Sequence, residues 1–127
     1  MNETVNVFWM EDDAVYLTLQ ESDLVKSLGG RIQIVDHATN YPEALRKIKE
    51  LGVKKVGIAI LDMELERNRC GNEIAGKIKG LYGNNIIIVG NAGTDNIEGA
   101  DLNCPKIDGE KALQIAISRA YSMLNIK

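Results

Sequence analysis

The sequence has no C-x-x-C pair, no long run of one charge sign, and no apolar stretch near the roughly 20 residues that a membrane span needs. Each absence removes a class of function. Cys70 and Cys104 stand far apart, so in a reducing compartment two free thiols are expected rather than a zinc site or a disulfide. The 18 acidic and 15 basic residues are interspersed to a net charge of −3, which leaves no basic tract of the kind nucleic acid needs. The short apolar stretches are broken by Gly, Asn or charge, so no membrane association is expected. Met1-Asn2-Glu3-Thr4 has no basic region followed by an apolar one, so a signal peptide is not expected and the expected location is the cytoplasm. Repeats, linkers and low-complexity segments are also missing.

What remains is a balance of 45% apolar and 26% charged residues over 127 positions, which fits one globular domain spanning 1–127. Short β-type runs alternate with helical patterns, the signature of a parallel sheet with crossover helices. Val5 to Met10 reads as the first strand and ends at Glu11-Asp12-Asp13. A helix is expected from about Ala14, with Leu17, Leu24, Val25 and Leu28 on its inner face and Gly29-Gly30 as its stop. Arg31 to His37 reads as strand two. Asn40 and Glu43 form a capping box with Pro42 in the first turn, ahead of Ala44, Leu45, Ile48 and Leu51, and Gly52 closes that helix. Val56 to Leu61 is a central strand ending at Asp62. Ile74, Ile78 and Leu81 mark a third helix, Ile86 to Val89 a fourth strand stopped by Gly90, and Ala100 to Cys104 a fifth strand. Asp108 is placed to cap a last helix carrying Leu113, Ile117, Ala120 and Leu124 inward.

Such alternation predicts an open doubly wound sheet, whose site lies beyond the carboxyl ends of the strands where the strand order reverses. Glu11, Asp12 and Asp62 would then share one rim. Packed carboxylates need a cation or a retained proton, and Mg²⁺, which takes carboxylate oxygens while keeping waters, fits. Taken singly, the acids after strand one could serve only the helix dipole, and Asp62 could be a plain loop residue. Lys106 adds a positive charge that could bind a phosphoryl oxygen or simply be solvated.

Three anchors together resemble those of response-regulator receiver domains. They are Met10-Glu11-Asp12-Asp13, then Leu61-Asp62-Met63-Glu64-Leu65 with Gly71 and Glu73, then Gly99-Ala100-Asp101 leading to Lys106. The resemblance covers nearly the whole chain. It implies an α/β, doubly wound, flavodoxin-like three-layer sandwich with five parallel strands in the order 2-1-3-4-5. It also implies that Glu11, Asp12, Asp62 and the backbone carbonyl of Glu64 hold Mg²⁺, and that Asp62 accepts a phosphoryl group with Lys106 beside it. The implied donors are a histidine kinase, a phosphotransfer protein or a small acyl phosphate. The implied output is association with a downstream protein, by a stand-alone signalling domain rather than an enzyme.

The sequence departs from that family in several places. Gly90 stands where a Ser or Thr usually follows the phosphoryl group, with Thr94 displaced into the next loop, and Asn103 stands where a switching aromatic is usual. Only Asn91 to Glu98 separate strand four from the Gly99-Ala100-Asp101 turn, so the family's fourth helix is expected to be shortened or absent. Glu66 replaces a common proline, with Arg67 and Arg69 expected at the surface nearby. Lys106 precedes Ile107 instead of proline, so no cis bond is expected there. These departures favour an alternative, a pseudo-receiver that binds partners without phosphorylation. A remote alternative is a Toprim-like metal-dependent nuclease, from Glu11 with Asp62-x-Glu64, which leaves Lys106 unexplained. An FMN site is weaker still, since the loop after strand one is acidic where a phosphate would sit.

Overall fold

The computed structural model describes residues 4–62, 64–65, 68–69 and 71–125. Five parallel strands form the sheet: β1 (Val5–Met10), β2 (Ile32–Ala38), β3 (Val56–Leu61), β4 (Ile87–Gly90) and β5 (Leu102–Asn103). Their order is β2-β1-β3-β4-β5, as the resemblance implies. Four helices connect or follow them: α1 (Ala14–Ser27), α2 (Tyr41–Ile48), α3 (Gly71–Tyr82) and α4 (Glu110–Asn125). A two-stranded antiparallel hairpin, Glu64–Leu65 with Asn68–Arg69, follows β3.

Residue parity divides the core in two. Phe8, Met10, Ala59, Leu61 and Ile88 face α2 and α3. Val7, Trp9, Ile58, Ile60 and Val89 face α1 and α4. A strand covered on both sides must be apolar at every position, which is why β3 has a nearly continuous apolar sequence. Asp13 caps α1 by accepting from the Tyr16 N–H at 3.0 Å. Asn40 caps α2 by accepting from the Glu43 N–H at 2.9 Å, and the Glu43 carboxylate accepts from the Thr39 N–H, one residue ahead of the usual capping-box partner.

Several expected boundaries shift. α2 ends at Ile48 rather than near Gly52, and the turn into β3 is made by Lys55 at φ 55°. Leu81 lies on the outer side of α3, 60% exposed, and the inner face is served by Ile74, Ala75 and Ile78, with Tyr82 packed partly buried against the same core. β5 is two residues long, flanked by backbone bonds from Asp101 N–H to Ile88 O at 2.9 Å and from Cys104 N–H to Gly90 O at 2.7 Å; the Asp101 carboxylate, rather than a backbone carbonyl, accepts from the Ile88 N–H at 2.7 Å and pairs with Lys79. The position before α4 belongs to Gly109, whose carbonyl accepts from the Leu113 N–H, while Asp108 sits in a 3₁₀ turn (Lys106–Asp108). Between β4 and β5 there is no helix among the described residues, and Ile97 from that loop fills the core in its place. Cys104 is a free, buried thiol, and Cys70 lies outside the described residues, as do Glu66 and Arg67.

Candidate functional site

The backbone ladder runs one residue past each central strand and thereby sets the site. Glu11 N–H donates to Ala38 O at 2.9 Å, Asp62 N–H to Met10 O at 3.1 Å, and Asn91 N–H to Leu61 O at 2.7 Å. By the two-residue alternation, Glu11, Asp62 and Asn91 all continue the face that packs on α1. Three polar side chains are therefore held in a row at the carboxyl edge by main-chain bonds, before any side-chain contact is counted.

Carboxylate oxygens of Glu11, Asp12 and Asp62 lie within 4.8 Å of one another. Glu11 and Asp62 are buried and Asp12 is exposed. The Lys106 ammonium enters this cluster, 2.7 Å from Glu11 Oε1 and 3.4 Å from Asp62 Oδ2. Burial pushes the Glu11 carboxyl up to about 7, with the charge of Asp62 adding to the rise; the hydrogen bonds from Lys106 and from the Asp13 N–H pull the other way. Burial alone would lower the Lys106 ammonium, but the hydrogen bond and charge of Glu11, with Asp62 behind, hold it above its ordinary value. A cavity of about 300 Å³ opens beside the cluster, lined by Asp12, Asp62, Gly93, Thr94, Asp95 and Lys106 among others.

Lys106 is aimed without a cis bond, none being found among the described residues. Its own N–H donates to Ala92 O at 2.6 Å, and its ammonium lies 4.5 Å from the centroid of the Tyr16 ring. Tyr16 in turn donates its hydroxyl to Asn91 Oδ1 at 3.1 Å, and the Asn91 amide donates to Cys104 O at 2.8 Å. Sequence reasoning missed Tyr16 and Asn91. The available signal for Tyr16 was its position one turn into a helix that begins directly after the acidic strand end.

Of the expected site residues, the structure brings Glu11, Asp12, Asp62 and Lys106 together. Thr94 lines the cavity wall. The Glu64 backbone lies in the hairpin two residues after Asp62. Gly90 falls one step before the residue level with Asp62, on the opposite face of the sheet, where Asn103 folds against it. The Asn103 amide bonds both backbone groups of Ile97, accepting from N–H at 2.8 Å and donating to O at 3.3 Å.

No protein-family model and no curated protein sequence matches this chain. Solved structures do match. A CheY-like response regulator receiver domain protein from Methanospirillum hungatei JF-1 is 18% identical over 97% of this chain and 98% of its own, with a TM-score of 0.76. The PhyR response regulator REC domain from Erythrobacter litoralis is 22% identical, covering 93% and 90%, with a TM-score of 0.72. The response regulator domain of CheB from Thermotoga maritima is 15% identical, covering 98% and 99%, with a TM-score of 0.71. At these identities the likeness establishes the fold, and the chain has the receiver fold over nearly its whole length.

Proposed function

We propose that residues 1–127 form one receiver domain of two-component signalling, in which Asp62 accepts a phosphoryl group and the change in charge alters association with a protein partner. The observation that carries this reading is the Lys106 ammonium set between Glu11 and Asp62 at the mouth of an open cavity. Glu11 and Asp62 both contact the Lys106 ammonium, and Asp12 completes a cluster of three carboxylates whose oxygens lie within 4.8 Å of one another, a packing of like charges that a divalent cation would relieve. All the donors are hard oxygens: Glu11, Asp12 and Asp62 carboxylates with the Glu64 carbonyl, a set suited to Mg²⁺. Bound there, the ion would offset charge on the phosphoryl oxygens.

The chain's own residues do the rest. An Asp62 carboxylate oxygen attacks phosphorus in line, and the bond from phosphorus to the donor's leaving atom breaks as the new O–P bond forms. The donor is phosphohistidine on a histidine kinase or phosphotransfer protein, or a small acyl phosphate. Lys106 stays protonated, exchanges one carboxylate contact for a phosphoryl oxygen, and is steadied by the Tyr16 ring. The role is that of a cytoplasmic signalling domain rather than an enzyme.

A second reading, association independent of phosphorylation, is favoured by one observation: Asn103 is bonded to Ile97 and packed on Gly90, which ties down the segment next to the site. Incubation with acetyl phosphate and Mg²⁺, followed by intact-mass measurement, separates the two. A gain of one phosphoryl group in wild type that Asp62→Ala lacks is expected. If wild type gains nothing while a known receiver is labelled alongside, the second reading replaces the first.

A further inference from the structure

A second concavity lies away from Asp62. It is a cleft of about 660 Å³ between the last turns of α2 and α3. Both helices start at the carboxyl edge of the sheet and run back, so their last turns lie toward the opposite edge. Its apolar lining comes from Leu45, Ile48 and Leu81 beside Gly80, with Ile48 buried and Leu81 60% exposed. Arg46, Lys49 and Lys77 form the rim, and no acid lines the cleft among the described residues. In a chain of net charge −3, a basic rim around an apolar floor is a local reversal of the surface character.

Gly80 sharpens the point. A Cβ there would meet nothing within 4 Å, so packing does not demand glycine, and glycine inside an exposed helix is unfavourable relative to alanine. What its bare backbone provides is depth, letting another element approach α3 closely between Leu45 and Leu81. An apolar trough of this size takes inserted side chains, whereas a lipid surface needs a flat or convex face. The net negative charge of the chain also opposes an anionic bilayer.

We infer that the α2–α3 cleft docks an acidic amphipathic helix of a partner protein, its leucine-type side chains seated over Gly80 and its carboxylates on Arg46, Lys49 and Lys77. This surface is independent of Asp62, so its test uses the full chain without Mg²⁺ or phosphodonor. The probe is a fluorescein-labelled synthetic peptide of about 15 residues, with leucine at i, i+3, i+4 and i+7 and glutamate elsewhere. One control has the same composition with the leucines off one face, and another has lysine for glutamate.

Saturable anisotropy with the first peptide alone is expected, weakening as NaCl is raised. Gly80→Leu, which fills the trough, and Arg46→Glu with Lys77→Glu should each weaken binding by about tenfold or more. Gly80→Ala should weaken binding while raising the melting temperature, which a loss of folding cannot imitate. Absence of saturable binding, equal binding of the control peptides, or unchanged binding by Gly80→Leu would overturn the inference. So would co-sedimentation with phosphatidylglycerol vesicles by a chain that ignores the peptide.

Discussion

Asn103 Oδ1 lies 2.2 Å from where a Cβ on Gly90 would stand, so the side chain of one residue occupies the space the other leaves empty. The two departures from the receiver pattern are thus one device. Without the bulk of a side chain at position 90, Asn103 can fold inward and bond both backbone groups of Ile97.

Gly90→Ala should therefore destabilise the chain by about 1–3 kcal/mol, through overpacking. In an Asn103→Ala background the same change should cost clearly less, though not nothing, because Ile97 Cβ is also close at 3.2 Å. Urea midpoints of the four proteins give the coupling, and additive values would mean the two residues are energetically separate.

The Glu11 carboxyl is raised from an ordinary 4.5 to about 7, so the folded chain holds a proton there that the unfolded chain has released. The associated stability is present below pH 4.5 and is lost as pH rises through about 7. Its size is on the order of 2–3 kcal/mol for a carboxyl with no exposed side-chain surface. Glu11→Gln should flatten that slope in denaturant titrations at pH 5 and pH 8. Millimolar Mg²⁺ should flatten it in wild type by favouring the charged form; a slope indifferent to both would place the raised group elsewhere.

Asp36 on β2 behaves in the opposite sense. Burial would raise it, but hydrogen bonds from Lys47, Lys54 and the His37 N–H prevail and hold it at about 2 against an ordinary 3.8. Its contribution is full above pH 3.8 and disappears as pH falls through about 2. Asp36→Asn should cost about 2 kcal/mol at pH 7 and nearly nothing at pH 2, measured by thermal melts across that range.

Much of this was legible in the sequence where one physical demand dominates. β1 and β3 match residue for residue: β3 is apolar throughout, β1 is apolar and buried from Val7 onward, and each ends abruptly at an acid. Strand order and the shared rim of Glu11, Asp12, Asp62 and Lys106 followed from alternation and the family anchors. Leu81 misled because spacing alone cannot distinguish an inner leucine from one lining an outer cleft. β5 was overextended at Asp101, whose carboxylate takes the Ile88 N–H in place of a backbone carbonyl, a side-chain substitution invisible to strand propensity. Tyr16 and Asn91 escaped because their pairing spans 75 residues, and only the sheet register brings it about. In the sequence Gly90 and Asn103 read as two separate departures from the receiver pattern, whereas in the fold they form one contact.

Ile97 stands where a whole helix would otherwise cover the sheet, fully buried at the end of a loop whose other residues are largely exposed. A helix would peel away turn by turn, each hydrogen bond released at its own cost. Here the segment from Gly93 to Gly99 has one apolar anchor, Ile97, clasped by Asn103, with polar ties from the Glu98 N–H to Asn72 Oδ1 and from the Ile107 N–H to Gly93 O that must release with it. In amide exchange such a segment would open as one unit, well below the free energy of global unfolding, with the Ile97 amide reporting the event.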